Sequence, residues 1–314
     1  MKKITRNTFC KALLAGCAGL ALAACGAGSE PVSSGNEPAA SGTAPGSAEP
    51  LLAPEDYPRV DGSTACIPLM AAMRHELTGE DLAEVQSAIS VSTTGYAWEK
   101  LAVYYDPETP EYYPELLVVY EAPEYIQQEI ADTGTELEIT PVGRDALVFM
   151  VNEQNPVQSL TCQQLVDIYT GKITNWSQVG GEDSGSQTLF KKLVMQGVEP
   201  MAAPTELAPG AMDELVDSLA QYNNQGNTLG FSVYYYIDRM YAQPGLRLLK
   251  VEGVLPANDT IGDESYPYCN EFYAVVRADT PADSPARTAY NWLCGPEGAA
   301  CVRSAGYVAV QGNA

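Results

Sequence analysis

Along this chain, short apolar runs alternate with stretches of helical period, and small hydroxyl residues and glycine recur where one gives way to the other. Strands separated by helical patterns of ten or more residues imply an α/β fold, with parallel pairing and helices on both faces. "DGSTACIPLMAAMRHEL" (61–77) turns into a helix, and "AISVSTTGYAWEKLA" (88–102) predicts a short strand followed by another. "ELLVVYEAPEYIQQEIADTG" (115–134) repeats this, with the apolar run Leu116–Tyr120 and a helix from Pro123. "DALVFMVN" (145–152) is a continuous apolar run of the kind buried on both faces. Thr161 and Gly171 read as the caps of a helix between them, 186–197 and 208–222 carry further helical pattern, and 228–241 runs from a strand into a helix. "CNEFYAVVRAD" (269–279) reads as a strand, followed by two short helices broken at Gly295-Pro296. No internal repeat is evident.

The N-terminus reads as address and leash. Lys2, Lys3, Arg6 and Lys11 precede the apolar stretch Ala12–Ala24, which is too short to span a bilayer comfortably and predicts a cleaved signal over 1–24. "LAAC" (22–25) resembles a lipobox, with Cys25 as the lipidated residue. Stable anchoring then follows from more than one acyl chain. The segment 25–54 is almost wholly Gly, Ser, Pro, Ala and Glu, and predicts a flexible tether spanning roughly 30 Å.

Charge and cysteine usage exclude several function classes. Removing the four basic residues of the signal takes the formal charge from −23 to −27. Nucleic acid is therefore excluded as a partner, since phosphate contacts need clustered Lys and Arg. An anionic ligand has to be captured by local donors against a repulsive field. The cysteines left after Cys25 show no CxxC spacing, and His75 is the single histidine, so neither a zinc site nor another cofactor is indicated. His75 itself reads as a solvated helix residue. An enzyme such as a phosphate-ester hydrolase would need a metal cluster or an activated nucleophile, and neither pattern is visible. Cys294 and Cys301 are too far apart on an unbroken helix for a disulfide, but a break at Gly295-Pro296 would let the chain fold back and a bridge form.

Three joints have the composition of an anion site: "DGSTA" (61–65), "STTG" (92–95) and "SGSQT" (184–188). Free N–H groups at a helix start attract negative charge, and hydroxyls add donors that orient an oxyanion. Singly, each is equally explained as an N-cap. Three in one α/β chain, at the C-terminal ends of strands, point to a ligand.

"NPVQSLTCQQLVDIYTGKITNWSQVGG" (155–181) resembles the signature of the PstS-like phosphate-binding proteins of ABC transporters, a branch of the type II periplasmic binding proteins. "YPRVDGSTACIPL", "PVGRDALVFMVN", "SGSQT", "SYPYCNEFYAV" and "GYVAV" keep that family's order from Tyr57 to Val310. The resemblance implies two α/β lobes joined by crossover strands. Lobe 1 would comprise 55–142 and 253–314, and lobe 2 143–252, with ligand held between them by a hinge motion. It implies ligand contacts from the Thr64 hydroxyl and the Ala65 N–H, with Ser63 a further candidate. Thr93 would join them, as would Ser184, Gly185 and Ser186. Glu121, in "VYEAP", falls where the family often has an aspartate, and it would accept a hydrogen bond only from an oxyanion that still carries a proton.

One departure stands out. Relatives carry a further strand and an arginine between the Gly-Gly turn and the Ser-Gly nest, whereas here Gly181 is followed by only Glu182 and Asp183 before Ser184. No motif places Arg59 or Arg144 in the cleft instead. The resemblance implies a monomeric, lipid-anchored protein on the extracytoplasmic face of the bacterial membrane, delivering phosphate or a related oxyanion to an ABC permease. The alternative is a non-transport sensor or surface interaction lipoprotein with a degenerate cleft.

Overall fold

One long strand organises the chain. The computed structural model describes residues 49–171, 189–200 and 229–310. Within it β3 (Leu137–Asn152) pairs with two sets of neighbours in turn. Its first part, Leu137–Ala146, runs antiparallel to β8 (Cys269–Arg277), with Gly143 and Arg144 also paired to β9 (Val308–Ala309). Its second part pairs with β5 (Gly230–Val233) through Leu147–Met150 and with β6 (Leu246–Leu248) through Met150–Asn152. The pairing therefore changes hands at Ala146/Leu147, and Val148–Val151 is fully buried just beyond. This is the crossover strand of a two-lobed α/β fold.

The main sheet has the order β1-β2-β8-β3-β5, where β1 is Val60–Gly62 and β2 is Leu116–Tyr120. Among the described residues only β1 and β2 pair in parallel in this sheet. The expectation of parallel pairing throughout is corrected, for a simple reason: β3 carries the chain out of the first half of the sheet and β8 brings it back. A second, two-stranded parallel sheet joins β4 (Ser159–Leu160) to β7 (Lys250–Val251). A bulge between Pro141 and Gly143 bends β3, and Gly143 lies so close to Phe272 that a Cβ would sit 2.1 Å from the ring.

The helices follow from their caps and apolar faces. α1 (Ile67–Thr78) buries Leu69, Met70, Met73 and Leu77, and ends at Gly79 in the left-handed conformation. α2 (Leu82–Ala88) is capped by Asp81. α3 (Thr94–Trp98) continues into a wider turn at Glu99–Val103, and α4 (Glu124–Thr133) starts after Pro123. α5 (Cys162–Tyr169) has a reciprocal capping box between Thr161 and Gln164, with Gly171 left-handed just past its end. α6 (Asn258–Gly262) is short, and α7 (Pro285–Leu293) and α8 (Pro296–Ser304) meet at Gly295. No helix among the described residues is long and apolar enough to cross a membrane.

Four further expectations are corrected. Ile89–Val91 forms no strand: Asp61 Oδ1 accepts from the Ser92 N–H at 2.8 Å, so a carboxylate replaces the ladder along this edge. Leu52, read as tether, donates its N–H to Leu77 O at 3.0 Å and packs on the core, while Leu51 stays exposed. His75 is not simply solvated, since its Nδ1 lies 2.6 Å from Glu80 O. Cys294 and Cys301 stay free thiols. Cys301 is buried in the core and Cys294 is half-buried at the end of α7, where Thr140 and Tyr290 pair their own hydroxyls at 2.7 Å. Cys25 and the signal 1–24 lie outside the described residues.

Candidate functional site

The parallel pair β1 and β2 ends at one edge, and the loops there are tied together by hydroxyls, backbone N–H groups and one carboxylate. Gly62 permits the approach: a Cβ on it would lie 1.9 Å from Val118 O. Ser63, next in the chain, is buried; its Oγ accepts from the Tyr120 N–H at 3.0 Å and pairs with Thr94 Oγ1 at 2.8 Å. Asp61 reaches across as well, accepting from the Gly62 and Ser92 N–H groups and from the Ser92 hydroxyl. Hence 61–65, 92–95 and the end of β2 form one knot.

On this knot the predicted residues divide by role. Ser63 is turned inward and holds the loops. Thr64 is half-buried at the start of a 3-10 turn, and Thr93 is exposed. Thr93 has φ 84° and ψ 168°, a conformation ordinarily reserved for glycine. A β-branched residue held there stores strain, and such strain collects at functional loops. Ala65 is buried, and its carbonyl accepts from the Tyr307 hydroxyl at 2.6 Å. Ser184, Gly185 and Ser186 lie outside the described residues.

Glu121 follows β2 directly and faces a groove of about 240 Å³ lined also by Arg144, Lys192, Glu264, Asn270 and Glu271. That volume is below the ~300–1,000 Å³ of drug-sized sites and suits a small ligand. Lys192 Nζ lies 2.5 Å from Glu121 Oε2. Packing sets its direction. In the wide turn Phe190–Met195, Phe190 stacks on Phe231 and meets the edge of Tyr169, both with centroids 4.5 Å away, while Lys192 stays outside. Arg144, which no motif placed here, donates to Gly262 O at 3.0 Å and lies 2.7 Å from Glu264 and 3.7 Å from Glu271. Arg59 is elsewhere, bound to Glu115, Tyr113 and Pro110.

At the crossover itself sits Asp145, 2% exposed. Its carboxylate accepts from the Tyr120 hydroxyl at 2.5 Å, the Ala146 N–H at 2.7 Å and the Tyr235 N–H at 3.1 Å. Burial raises its pKa to about 6, against the opposing pull of those hydrogen bonds. Tyr235, just past β5, stacks on Tyr307 at 3.5 Å, and the Tyr307 hydroxyl is the donor to Ala65. The switch point of β3 is thus braced to the 61–65 loop through two tyrosines. Burial holds the Tyr120 and Tyr307 hydroxyls well above the usual phenol range.

Sequence reasoning missed Lys192, Arg144, Asn270 and Asp145. The paired lysines of "LFKKLV" (189–194) were the available signal for Lys192: apolar neighbours on one face force a cation onto the other. Asp145 opens an apolar run that is otherwise unbroken, which marks it as a buried acid in need of partners. No group of three or more His, Cys, Asp or Glu able to hold a metal ion occurs among the described residues.

Comparison with known proteins identifies relatives and structural neighbours. The phosphate-binding protein PstS of Bacillus subtilis (strain 168) is 26% identical over 138 residues, covering 39% of this chain and 42% of that protein. PstS of Borreliella burgdorferi is 26% identical over 137 residues, covering 39% of this chain and 48% of that protein. The matched region thus spans less than half the length of either relative. Among solved structures, a phosphate-binding protein from Stenotrophomonas maltophilia superposes with a TM-score of 0.58 at 12% identity, over 82% of this chain and 91% of that one. The ABC-type phosphate transport receptor of Vibrio cholerae gives 0.54 at 19% identity, over 79% and 98%. At such identities the superpositions establish the fold. The PBP superfamily domain matches residues 116–294, more than half of the sequence, and the chain belongs to that superfamily.

Proposed function

We propose that this chain is a solute-binding protein that captures inorganic phosphate, or a related tetrahedral oxyanion, outside the cytoplasm and delivers it to an ABC importer. The observation that carries the reading is the knot of 61–65, 92–95 and Tyr120, which gathers hydroxyl-bearing loops beside Glu121 at one end of a parallel strand pair. Strand ends of this kind are where open α/β sheets bind ligands. Thr64, Thr93 and the Ala65 N–H offer donors, Glu121 offers an acceptor for a ligand hydroxyl, and Ser184, Gly185 and Ser186, outside the described residues, are further donors in this reading. The lobes are 55–142 with 253–314, and 143–252, and ligand draws them together. In this reading Cys25 carries the lipid, 26–54 is largely tether, and the protein acts as a monomer beside its permease.

Equilibrium binding of radiolabelled phosphate, with sulfate as competitor, tests the ligand. Saturable binding that sulfate fails to displace supports the reading, and an absence of saturable binding overturns it. The anchor is tested separately: Cys25→Ala should release the protein from membranes into the medium. The two-residue link between Gly181 and Ser184 keeps a second reading alive, a lipoprotein sensor with a weakened cleft, for which phosphate would bind without any permease responding to it.

A further inference from the structure

Around the groove beside Glu121 stand three carboxylates, Glu121, Glu264 and Glu271, and two cations, Arg144 and Lys192. The cations are held differently. Arg144 is committed: it donates to a backbone carbonyl, has two glutamates about it, and keeps only 18% of its side chain exposed. Lys192 is 54% exposed and reaches Glu121 on a flexible four-carbon stem. A pair this open to water contributes little, so an entering anion can replace Glu121 at Lys192 with small loss. A second observation points to a ligand in the same place. Asn270 lines the groove, and its side-chain oxygen is buried without a hydrogen-bond partner.

We propose that Lys192 is the cationic specificity residue of this cleft, exchanging its Glu121 partner for a tetrahedral oxyanion that still carries a proton. The inference rests on the oxyanion reading above and names a residue that reading does not contain. With the anion between them, Lys192 donates to one ligand oxygen while Glu121 or Asn270 accepts from the ligand hydroxyl. The pair becomes a donor–acceptor clamp. Inorganic phosphate near neutral pH satisfies both ends. Sulfate carries no proton there and would set its charge against the Glu121 carboxylate. The groove's excess of acid has the same consequence: an anion is attracted only where Lys192 can turn towards it.

The experiment is a titration of the whole chain with inorganic phosphate by calorimetry, on wild type, Lys192→Gln, Lys192→Arg, Lys191→Gln and Glu121→Gln, with sulfate as the second ligand. Loss of a charge-assisted contact should weaken phosphate binding by about 10- to 100-fold in Lys192→Gln. Lys192→Arg should recover most of it, and Lys191→Gln, one residue away on the same turn, should change nothing. Glu121→Gln should narrow the preference for phosphate over sulfate. Wild type and Lys192→Gln binding phosphate equally would overturn the role of Lys192 while leaving the oxyanion reading intact. A wild type that binds no phosphate would bring down that reading, and the inference with it.

Discussion

Asp145 and Glu121 are both carboxylates beside Tyr120, and the fold treats them in opposite ways. Asp145 is buried at the crossover and is held by three uncharged donors: the Tyr120 hydroxyl and the Ala146 and Tyr235 N–H groups. Glu121 is partly open to water and is paired with a lysine from a separate segment of the chain. Hydrogen bonds to a buried acid have fixed directions and expensive alternatives, so they define a geometry. An open ion pair has cheap alternatives, since water or another anion can take either place. The first carboxylate is suited to hold the two halves of the sheet in register, and the second to change partners.

The contrast breaks most plainly at Asp145. Asp145→Ala leaves the Tyr120 hydroxyl and two backbone N–H groups without an acceptor in the core, and should destabilise the protein by about 3–5 kcal/mol in urea denaturation. A loss below about 1 kcal/mol would mean that Asp145 does no more than an exposed acid does.

A second effect comes from the same burial. The Asp145 pKa, raised from 3.8 to about 6, means that the folded state keeps a proton which the unfolded chain has already released. This contribution is complete below pH 3.8 and is lost as pH rises through about 6, amounting to roughly 3 kcal/mol. Subtracting the profile of Asp145→Asn from that of wild type isolates it, because Glu80 and Asp263, whose pKa values are lowered, titrate alike in both. Wild type should lose stability relative to the variant across this window. A flat difference would place the Asp145 titration at its ordinary position.

Thr93 sharpens the comparison from the ligand side. Relief of its glycine-like φ and ψ by Thr93→Gly is worth about 1–3 kcal/mol, offset by the ~0.5–1 kcal/mol entropy of glycine. The net gain of about 1 kcal/mol should raise Tm by about 2–4 °C for a domain of this size. Phosphate binding should weaken at the same time through the lost hydroxyl. A gain in both would make the strain an accident of the loop and remove Thr93 from the site.

How much of this was legible follows from what each feature depends on. The DGSTA and STTG joints could be read because helix starts and their hydroxyl donors are local in sequence. β3 could be read because burial on both faces leaves an unbroken apolar run. The inward turn of Ser63 could not, since it depends on Tyr120, 57 residues away. Nor could the antiparallel β8, whose direction is set by where the chain returns. Cys294 and Cys301 had a spacing that allowed a bridge after a break at Gly295, but both stay free, packed into a core built from other elements. Lys192 was illegible for the same reason. Its helical face could be read, but its partner Glu121, 71 residues earlier, could not.

The smallest expected effect on stability is at the open pair, and its smallness is the point. Lys192→Gln removes an ion pair whose lysine is 54% exposed and whose glutamate is 28% exposed. Exposed pairs contribute about 0–1 kcal/mol, because Coulomb attraction in water is weak and two long side chains lose rotamer freedom to form it. The turn that carries Lys192 is anchored by Phe190, Val194 and Met195, all buried and none altered by the change. Urea denaturation of Lys192→Gln should therefore shift by less than about 1 kcal/mol, and raising the salt concentration should shrink even that. A loss comparable to that of Asp145→Ala would show the Glu121–Lys192 pair to be part of the scaffold, fixed as firmly as the crossover carboxylate and unable to yield to a ligand.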